Sequence, residues 1–283
     1  MLIPLTDVLR YKSGASVQGV IHVGAHLGQE AEYYSENGIE KVIWIEANPK
    51  LMKPLQENLK KYPNQHAYHA LISDKTGENV KFYIDNKGAF SSSHLPPDKI
   101  FKFYSGLHFD EIIELSTVRL DDFLEEQHIA WENYNFLTLD IEGAELLALK
   151  SLGSHLSRFN WIYTEVRCYS SHKGCALLWD LDDFLNQQGF SRIKLRMTPE
   201  YWGDAVYIKK NNFWLIALWQ KIWSHFYLDV YYKSWTIIKF IRSMHIFIEY
   251  KIVRDKFGSI RRRLNLRLRE RLVRFFTIKN LPK

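Results

Sequence analysis

The sequence predicts an α/β fold: a mostly parallel sheet that closes on an antiparallel pair, followed by a helical appendage. Three observations predict it. Short apolar runs alternate with helical patterns, as in sheets built from right-handed crossovers. Three of those runs stop at Gly24, Glu46 and Asp140, and ligands of open α/β sheets sit at the carboxyl ends of the strands. After residue 210 the composition turns from acidic to strongly basic.

Each element follows from local pattern. Val20-Ile21-His22-Val23 reads as the first strand and stops at Gly24-Ala25-His26-Leu27-Gly28. Gln29 to Glu36 continue as a helix closed near Asn37-Gly38. Lys41 to Glu46 is the second strand, and Pro49 suits an early position of a helix running to Lys61. His66 to Ile72 is the third strand. Residues 74–134 break the rhythm, with a strand at Val80 to Ile84 and a turn at Asp85 to Gly88. Ser91-Ser92-Ser93 and Pro96-Pro97 mark a loop. A strand at Ser116 to Leu120 then leads into a helix from Asp121 to His128. This block reads as an elaboration at the mouth of a site. The sheet resumes with Phe136 to Asp140 and Trp161 to Glu165, and a helix from Ala176 to Gln188 ends at Gly189. Ser191 to Met197 and Ala205 to Lys209 are joined by a loop too short for a helical crossover, so they should be antiparallel.

The chain has 283 residues, 46% of them apolar, enough for one sizeable domain over 1–210 and an appendage over 211–283. Cys168 and Cys175 form no disulfide framework and read as reduced thiols of a cytoplasmic protein. Met1 to Asp7 has neither a basic region nor a long apolar run, so no signal peptide is expected. No 18 uncharged apolar residues run together, so no spanning helix is expected either. The net charge of +6 conceals a split: residues 211–283 hold 16 Lys+Arg against 4 Asp+Glu, a net of +12, which leaves −6 for residues 1–210. Such asymmetry points to an acidic body and a tail with an anionic partner.

The chemistry gathers at strand ends. Asp140-Ile141-Glu142-Gly143-Ala144-Glu145 follows a buried strand, and charge there is costly unless paired, ligated or used. Glycine in the Gly24 to Gly28 turn lets backbone approach a ligand. Glu46 ends the second strand, 22 residues beyond Gly24, where an acid can accept hydrogen bonds from ribose hydroxyls. The Gly-x-Gly-x-x-Gly spacing is absent, which favours a nucleoside ligand without a pyrophosphate, as S-adenosylmethionine is.

The chain resembles the FkbM-type S-adenosylmethionine-dependent methyltransferases. The resemblance rests on Ile21 to Gly28, Ile45-Glu46-Ala47-Asn48-Pro49, Leu71-Ile72-Ser73-Asp74, Ser91-Ser92-Ser93, Leu120 to Leu124, Leu139 to Glu145 and Thr164-Glu165-Val166, in the family's order over roughly residues 17–210. It implies a Rossmann-like class I methyltransferase sheet, which the five parallel strands and final antiparallel pair also match. It implies S-adenosylmethionine as cofactor, held by His22, Gly24, Ala25, Gly28, Glu46, Asn48, Leu71 and Asp140. His22 departs from the pattern, because the family usually has Asp at that position, facing the donor's methionine part. The implied reaction is O-methylation of a hydroxyl on a sugar, glycan, glycolipid or related natural product. A hydroxyl is a weak acid, so a positioned base helps: Asp140, Glu142 and Glu165 are the candidates, with His94 as a further one. Asp140, Glu142 and Glu165 are also the candidate ligands of Mg²⁺, which would polarise the acceptor hydroxyl.

Other readings stand beside these. Glu145 is explained equally by the dipole of its helix, and Glu165 by an ion pair with Arg167 or Lys173. The serines also suit a turn, and His94 beside them is explained as well or better as a loop histidine. Asp140-Ile141-Glu142 matches an acid-x-acid metal site, which makes a metal-dependent glycosyltransferase the alternative enzyme. A non-catalytic membrane-associated scaffold module is the alternative outside enzymes.

Residues 213–276 read as amphipathic helices rich in aromatics, with Leu264, Leu268 and Leu272 set among arginines. Such helices suit an anionic membrane surface and would place the protein on the inner face of the membrane, near a lipid-linked acceptor. The other reading packs this apolar surface on the body or on a second subunit of a homo-oligomer. Nucleic acid ranks below membrane, because Asn/Asp-Pro-Pro-aromatic is missing after the fourth parallel strand.

Overall fold

The computed structural model describes residues 1–10, 16–98 and 106–210; the tail over 211–283 and its expected helices lie outside the described residues. A seven-stranded sheet forms the body. Its parallel part comprises β1 (Val20–Val23), β2 (Val42–Glu46), β3 (Gln65–His69), β7 (Phe136–Leu139) and β8 (Trp161–Arg167). The last two strands, β9 (Phe190–Met197) and β10 (Trp202–Lys209), are antiparallel, and β10 inserts between β8 and β9. The spatial order is β3-β2-β1-β7-β8-β10-β9. The α/β class and the final antiparallel pair are therefore as the sequence predicts.

Burial explains why these runs become central strands. Every residue of β1, β2, β7 and β8 is buried, the condition for a parallel sheet covered on both faces. The helices α2 (Ala31–Glu36) and α3 (Pro49–Leu59) follow β1 and β2. The side chain of Asn48 caps α3 by accepting the Lys50 N–H at 3.1 Å, and Pro49 takes the first helical position. Gly38, with φ of +75°, closes α2. Tyr34 of α2 is buried, and its hydroxyl lies 2.9 Å from Thr138 Oγ1 of β7 and 3.2 Å from His22 Nδ1 of β1. Two strands are thereby pinned to the first crossover helix.

Three details differ from the sequence expectation. A short helix, α1 (Leu5–Leu9), precedes the sheet and buries Leu5 and Val8. The run from His66 to Ile72 is broken. After β3 the Ala70 N–H bonds the Glu46 carbonyl at 3.1 Å, and Leu71–Ile72 leave the main sheet as β4. Leu71 joins a small core with Phe82 and Ile84, and that contact draws the chain away. Finally, the expected strand from Ser116 extends much further back. As β6 (Glu111–Val118) it pairs with β4 and with β5 (Asn79–Ile84) in a second, three-stranded sheet. The helix after it is α4 (Leu120–Glu126); α5 (Glu145–Ser151) follows β7, and α6 (Leu178–Gln187) precedes β9. Gly189 follows α6 with φ of +84°.

The order of the main sheet reverses between β1 and β7. The crevice at the carboxyl ends of those two strands is where an open α/β sheet offers a ligand site.

Candidate active site

A cavity of about 310 Å³ opens at that crevice, within the range of small-molecule sites. Its walls come from both sheets. Gly24, Glu46 and Asp140 follow or end β1, β2 and β7, while Phe90, Ser92, Ser93 and His94 arrive from the loop after β5. The block expected to elaborate the mouth of the site does so.

Glu46 is fixed by the backbone around it. One carboxylate oxygen accepts the His26 N–H and the other the Asn48 N–H, each at 2.7 Å. Burial pushes its carboxyl above the ordinary value, and the amide hydrogen bonds oppose that. Gly24 has φ of +89°, and its N–H bonds the Ile45 carbonyl at 2.9 Å. A Cβ on Gly24 would lie 1.8 Å from the Asp140 carbonyl oxygen, so only glycine lets the ends of β1 and β7 meet.

The expected donor-side residues divide into two groups. His22, Gly24, Glu46, Leu71 and Asp140 line the cavity. Ala25, Gly28 and Asn48 stand behind it: Ala25 is buried, and Asn48 caps α3 while its N–H holds Glu46. Gly28 has φ of +69°, and a Cβ there would come 2.8 Å from Leu55 Cδ1 of α3. His22 is stacked on Trp44 at 4.6 Å, and burial lowers its pKa to about 4, leaving it neutral at pH 7. His26 donates its Nε2–H to the Gly88 carbonyl, 2.7 Å away, and stacks on Phe90 at 4.2 Å, which fastens the β5 loop over the cavity.

Asp140, Glu142 and Glu165 form one cluster, with a carboxylate oxygen from each lying within 4.8 Å of the others. Asp140 opens to the cavity, Glu142 is half-buried and Glu165 is buried. Arg167, on the same strand as Glu165, donates to Glu165 and, at 3.1 Å, to Glu142; it also donates to Ser171. The expected pair between Glu165 and Arg167 is therefore present. One guanidinium does not neutralise three carboxylates. Burial, then the neighbouring Glu165 and Asp204, hold the Asp140 carboxyl well above its usual range. Burial also raises Glu142, to about 7, although Arg167 pulls the other way. Glu165 is shifted up for the same reasons. Arg167 is bonded to one oxygen of each of two members, so the cluster is an ion-pair network that leaves Asp140 and the second oxygens of Glu142 and Glu165 as the groups a Mg²⁺ would have to use.

The remaining candidates have clear places. His94 lines the cavity, and burial lowers its pKa while Asp74 opposes the shift. Ser92 and Ser93 line it too, yet their loop is organised by buried Asp85, which accepts the Lys87 and Ser91 N–H groups at 2.7 Å. Glu145 accepts the Ile141 and Gly143 N–H groups at 3.2 and 3.0 Å and so shapes the turn below the cluster. Sequence reasoning missed Glu30, Trp202 and Asp204, all of which line the cavity. Asp204 accepts from the Tyr163 hydroxyl and the Leu2 N–H. An acid inside an otherwise apolar last strand was the available signal.

The profile of the methyltransferase FkbM domain matches residues 22–192. A comparison with curated proteins gives no match. Solved structures similar to the chain include a magnesium protoporphyrin IX methyltransferase from Synechocystis with bound S-adenosylmethionine, at 12% identity over 73% of this chain and 78% of that one, with a TM-score of 0.41. Another is a SAM-dependent methyltransferase from Aquifex aeolicus, at 15% identity over 74% of this chain and 90% of that one, with a TM-score of 0.38.

Replacing Arg167 by methionine should lower the unfolding free energy by about 3–5 kcal/mol at alkaline pH, because two buried carboxylates lose their cation. The loss should shrink as the pH falls through about 7, where Glu142 takes up a proton and no longer needs it. Urea denaturation above and below that pH checks this; a loss independent of pH would show that the guanidinium acts through packing alone.

Proposed function

The chain belongs to the FkbM methyltransferase family, and we propose that it transfers a methyl group from S-adenosylmethionine to a hydroxyl of a carbohydrate or a related glycolipid. The observation that carries this reading is Glu46. Its two oxygens are set by two amides beside the bare backbone of Gly24, in the same cavity as the carboxylate cluster. A nucleoside donor has a ribose for Glu46, and its adenine suits the apolar wall of Ala47, Leu71, Ile72 and Phe82.

S-adenosylmethionine supplies, when bound, an electrophilic sulfonium methyl. The protein then has to align the acceptor oxygen and take its proton. Asp140, open to the cavity, and Glu142 beside it are suited to receive that proton. Their raised pKa values make them stronger bases than ordinary carboxylates once ionised. Arg167 holds Glu142 and limits the charge the cluster must bear. A sugar acceptor is favoured by the mouth of the cavity. Phe90 there is 61% exposed, Trp202 adds a second aromatic, and Ser92, Ser93 and His94 supply polar groups. Aromatic rings offer apolar surface with fixed geometry to the C–H faces of a sugar. A metal-dependent glycosyltransferase would use the carboxylate cluster for its ion; the match to the methyltransferase FkbM domain over residues 22–192 supports methyl transfer over that reading.

Among the described residues no helix is long and apolar enough to cross a membrane. The basic tail over 211–283 supports a further part of the proposal, docking on an anionic lipid surface beside a lipid-linked acceptor.

Calorimetry on the full chain should show S-adenosylhomocysteine binding, weakened by roughly tenfold or more in Glu46→Ala. Binding of UDP-glucose in place of the adenosyl compound would replace methyl transfer by glycosyl transfer. Methyl transfer from labelled donor to a panel of glycosides should rise about tenfold from pH 6 to pH 8, as the cluster, with Glu142 raised to about 7, loses a proton and becomes basic. A flat profile would remove the carboxylates as the base. For the tail, the full chain should float with anionic vesicles at low salt and stay behind with zwitterionic ones; equal behaviour on both would end the docking proposal.

A further inference from the structure

Resting on the methyl-transfer reading, the geometry points to Trp202 and Asp204 of β10 as the subsite that holds the acceptor: a neutral pyranose stacked on the indole, with one hydroxyl donating to Asp204. The two residues stand two apart on one strand, so their side chains share a face, and both line the cavity. The register says which face. Asp204 lies opposite Glu165 and Trp202 opposite Arg167, and a Glu165 oxygen lies within 4.8 Å of one from Asp140. Asp140, Glu165 and Asp204 therefore form a row across the ends of β7, β8 and β10. Asp204 is near enough to Asp140 for its charge to act there. Glu46 ends β2, four steps from β10 in the order of the sheet. With neighbouring strands about 4.8 Å apart, four steps make roughly 19 Å. A nucleoside at Glu46 thus leaves the β10 end of the cavity to a second molecule, with Asp140 between the two.

Asp204 is only 6% exposed. The Tyr163 hydroxyl and the Leu2 N–H both bond its Oδ2, and among the described residues nothing bonds its Oδ1. One oxygen is anchored and the other is unspent. Trp202 is half-buried, and its Nε1–H likewise has no partner among the described residues. An indole N–H taken from water ordinarily finds an acceptor, and a buried carboxylate its donors. A pyranose supplies both at once: a hydroxyl donates to Oδ1, a ring or hydroxyl oxygen accepts from Nε1, and the C–H face lies on the indole. The backbone holds the pair in place. A Cβ on Gly203, which separates them, would stand 2.0 Å from the Arg196 carbonyl oxygen, so β9 closes on this segment only at a glycine. The charge of the wall sets the class of sugar. Among the described residues no Lys or Arg lines the cavity, whereas Glu30, Glu46, Asp140, Glu142 and Asp204 do. A phosphate or carboxylate on the ring would meet like charge with no cation to offset it.

The test separates acceptor from donor in the full chain. Label transfer from S-adenosylmethionine is followed on the methyl glycosides of glucose, galactose, mannose and rhamnose, and calorimetry follows S-adenosylhomocysteine. For the glycoside the wild type uses best, Trp202→Ala and Asp204→Asn should each raise KM by roughly tenfold and leave kcat within about threefold. Both should bind S-adenosylhomocysteine within about twofold of the wild type, a result that also shows they are folded. Trp202→Phe, which keeps an aromatic face, should lose less than Trp202→Ala. As competitors in the same assay, methyl glucoside should bind the wild type roughly tenfold or more tightly than methyl glucuronide, and Asp204→Asn should narrow that gap. A parallel loss of donor binding and turnover would make the pair structural and overturn the proposal. So would an unchanged KM, a loss in Trp202→Phe as large as in Trp202→Ala, or a glucuronide that competes as well as the glucoside. If S-adenosylhomocysteine binds and no glycoside is methylated, the sugar acceptor falls and this subsite with it. If S-adenosylhomocysteine does not bind, the methyl-transfer reading itself falls first.

Discussion

The site depends on the absence of one side chain. The carbonyl of Asp140 occupies the place where a Cβ on Gly24 would stand, so the two central strands can end against each other only at a glycine. Two hydrogen bonds extend the constraint. The Asp140 N–H bonds the Val23 carbonyl at 2.9 Å, and the Gly24 N–H reaches across to the Ile45 carbonyl. The ends of β1, β2 and β7 are thereby one rigid unit, and Glu46 and Asp140 hold their places relative to each other without help from a ligand. Preorganisation of this kind spares binding the cost of ordering the receptor.

The second constraint is electrostatic. Strand ends in a doubly covered sheet are poor places for charge, yet Asp140, Glu142 and Glu165 are concentrated there with Arg167 as the bonded cation. Too little positive charge is available to ionise all three at neutral pH, so the cluster retains protons. That condition costs stability as pH rises, since the unfolded chain releases those protons at lower pH. A stronger cation at the centre would ionise the carboxylates and make them weaker bases. A missing one would leave them fully protonated or unfold the strand ends.

The central strands were legible because burial on both faces leaves a continuous apolar signature: Val20 to Val23, Val42 to Ile45 and Phe136 to Leu139 are buried throughout. The edge was not. His66 to Ile72 looks like one strand, but whether Leu71 stays beside His69 or joins Phe82 is decided by a contact distant in sequence. Glu111 to Leu115 alternates in burial as a strand on a partly exposed sheet should, but exposed Ile112 breaks the matching alternation of apolar and polar residues in the sequence. The same division holds for the site. Glu46 and Asp140 declare themselves as acids at strand ends. Asp204 becomes visible only through register, because it lies opposite Glu165 on a strand that inserts between β8 and β9. Gly28 shows the converse limit: its φ of +69° calls for glycine on backbone grounds, so a glycine in the turn does not by itself mark a ligand contact.

His22 shows how solvation decides which positions carry charge. Its ring is sandwiched into the core, stacked on Trp44 and joined through Tyr34 to Thr138 on the neighbouring strand. A carboxylate in that place would have to shed its water against an indole ring, whereas a neutral imidazole sheds little and gains a hydrogen bond. Negative charge at this end of the cavity is then best delivered from a turn, where water still reaches the side chain. Glu30, which precedes α2 with its side chain 21% exposed, is such a position. The division follows from solvation: the sheet interior supplies shape and neutral hydrogen bonds, and the acids gather where the strands end.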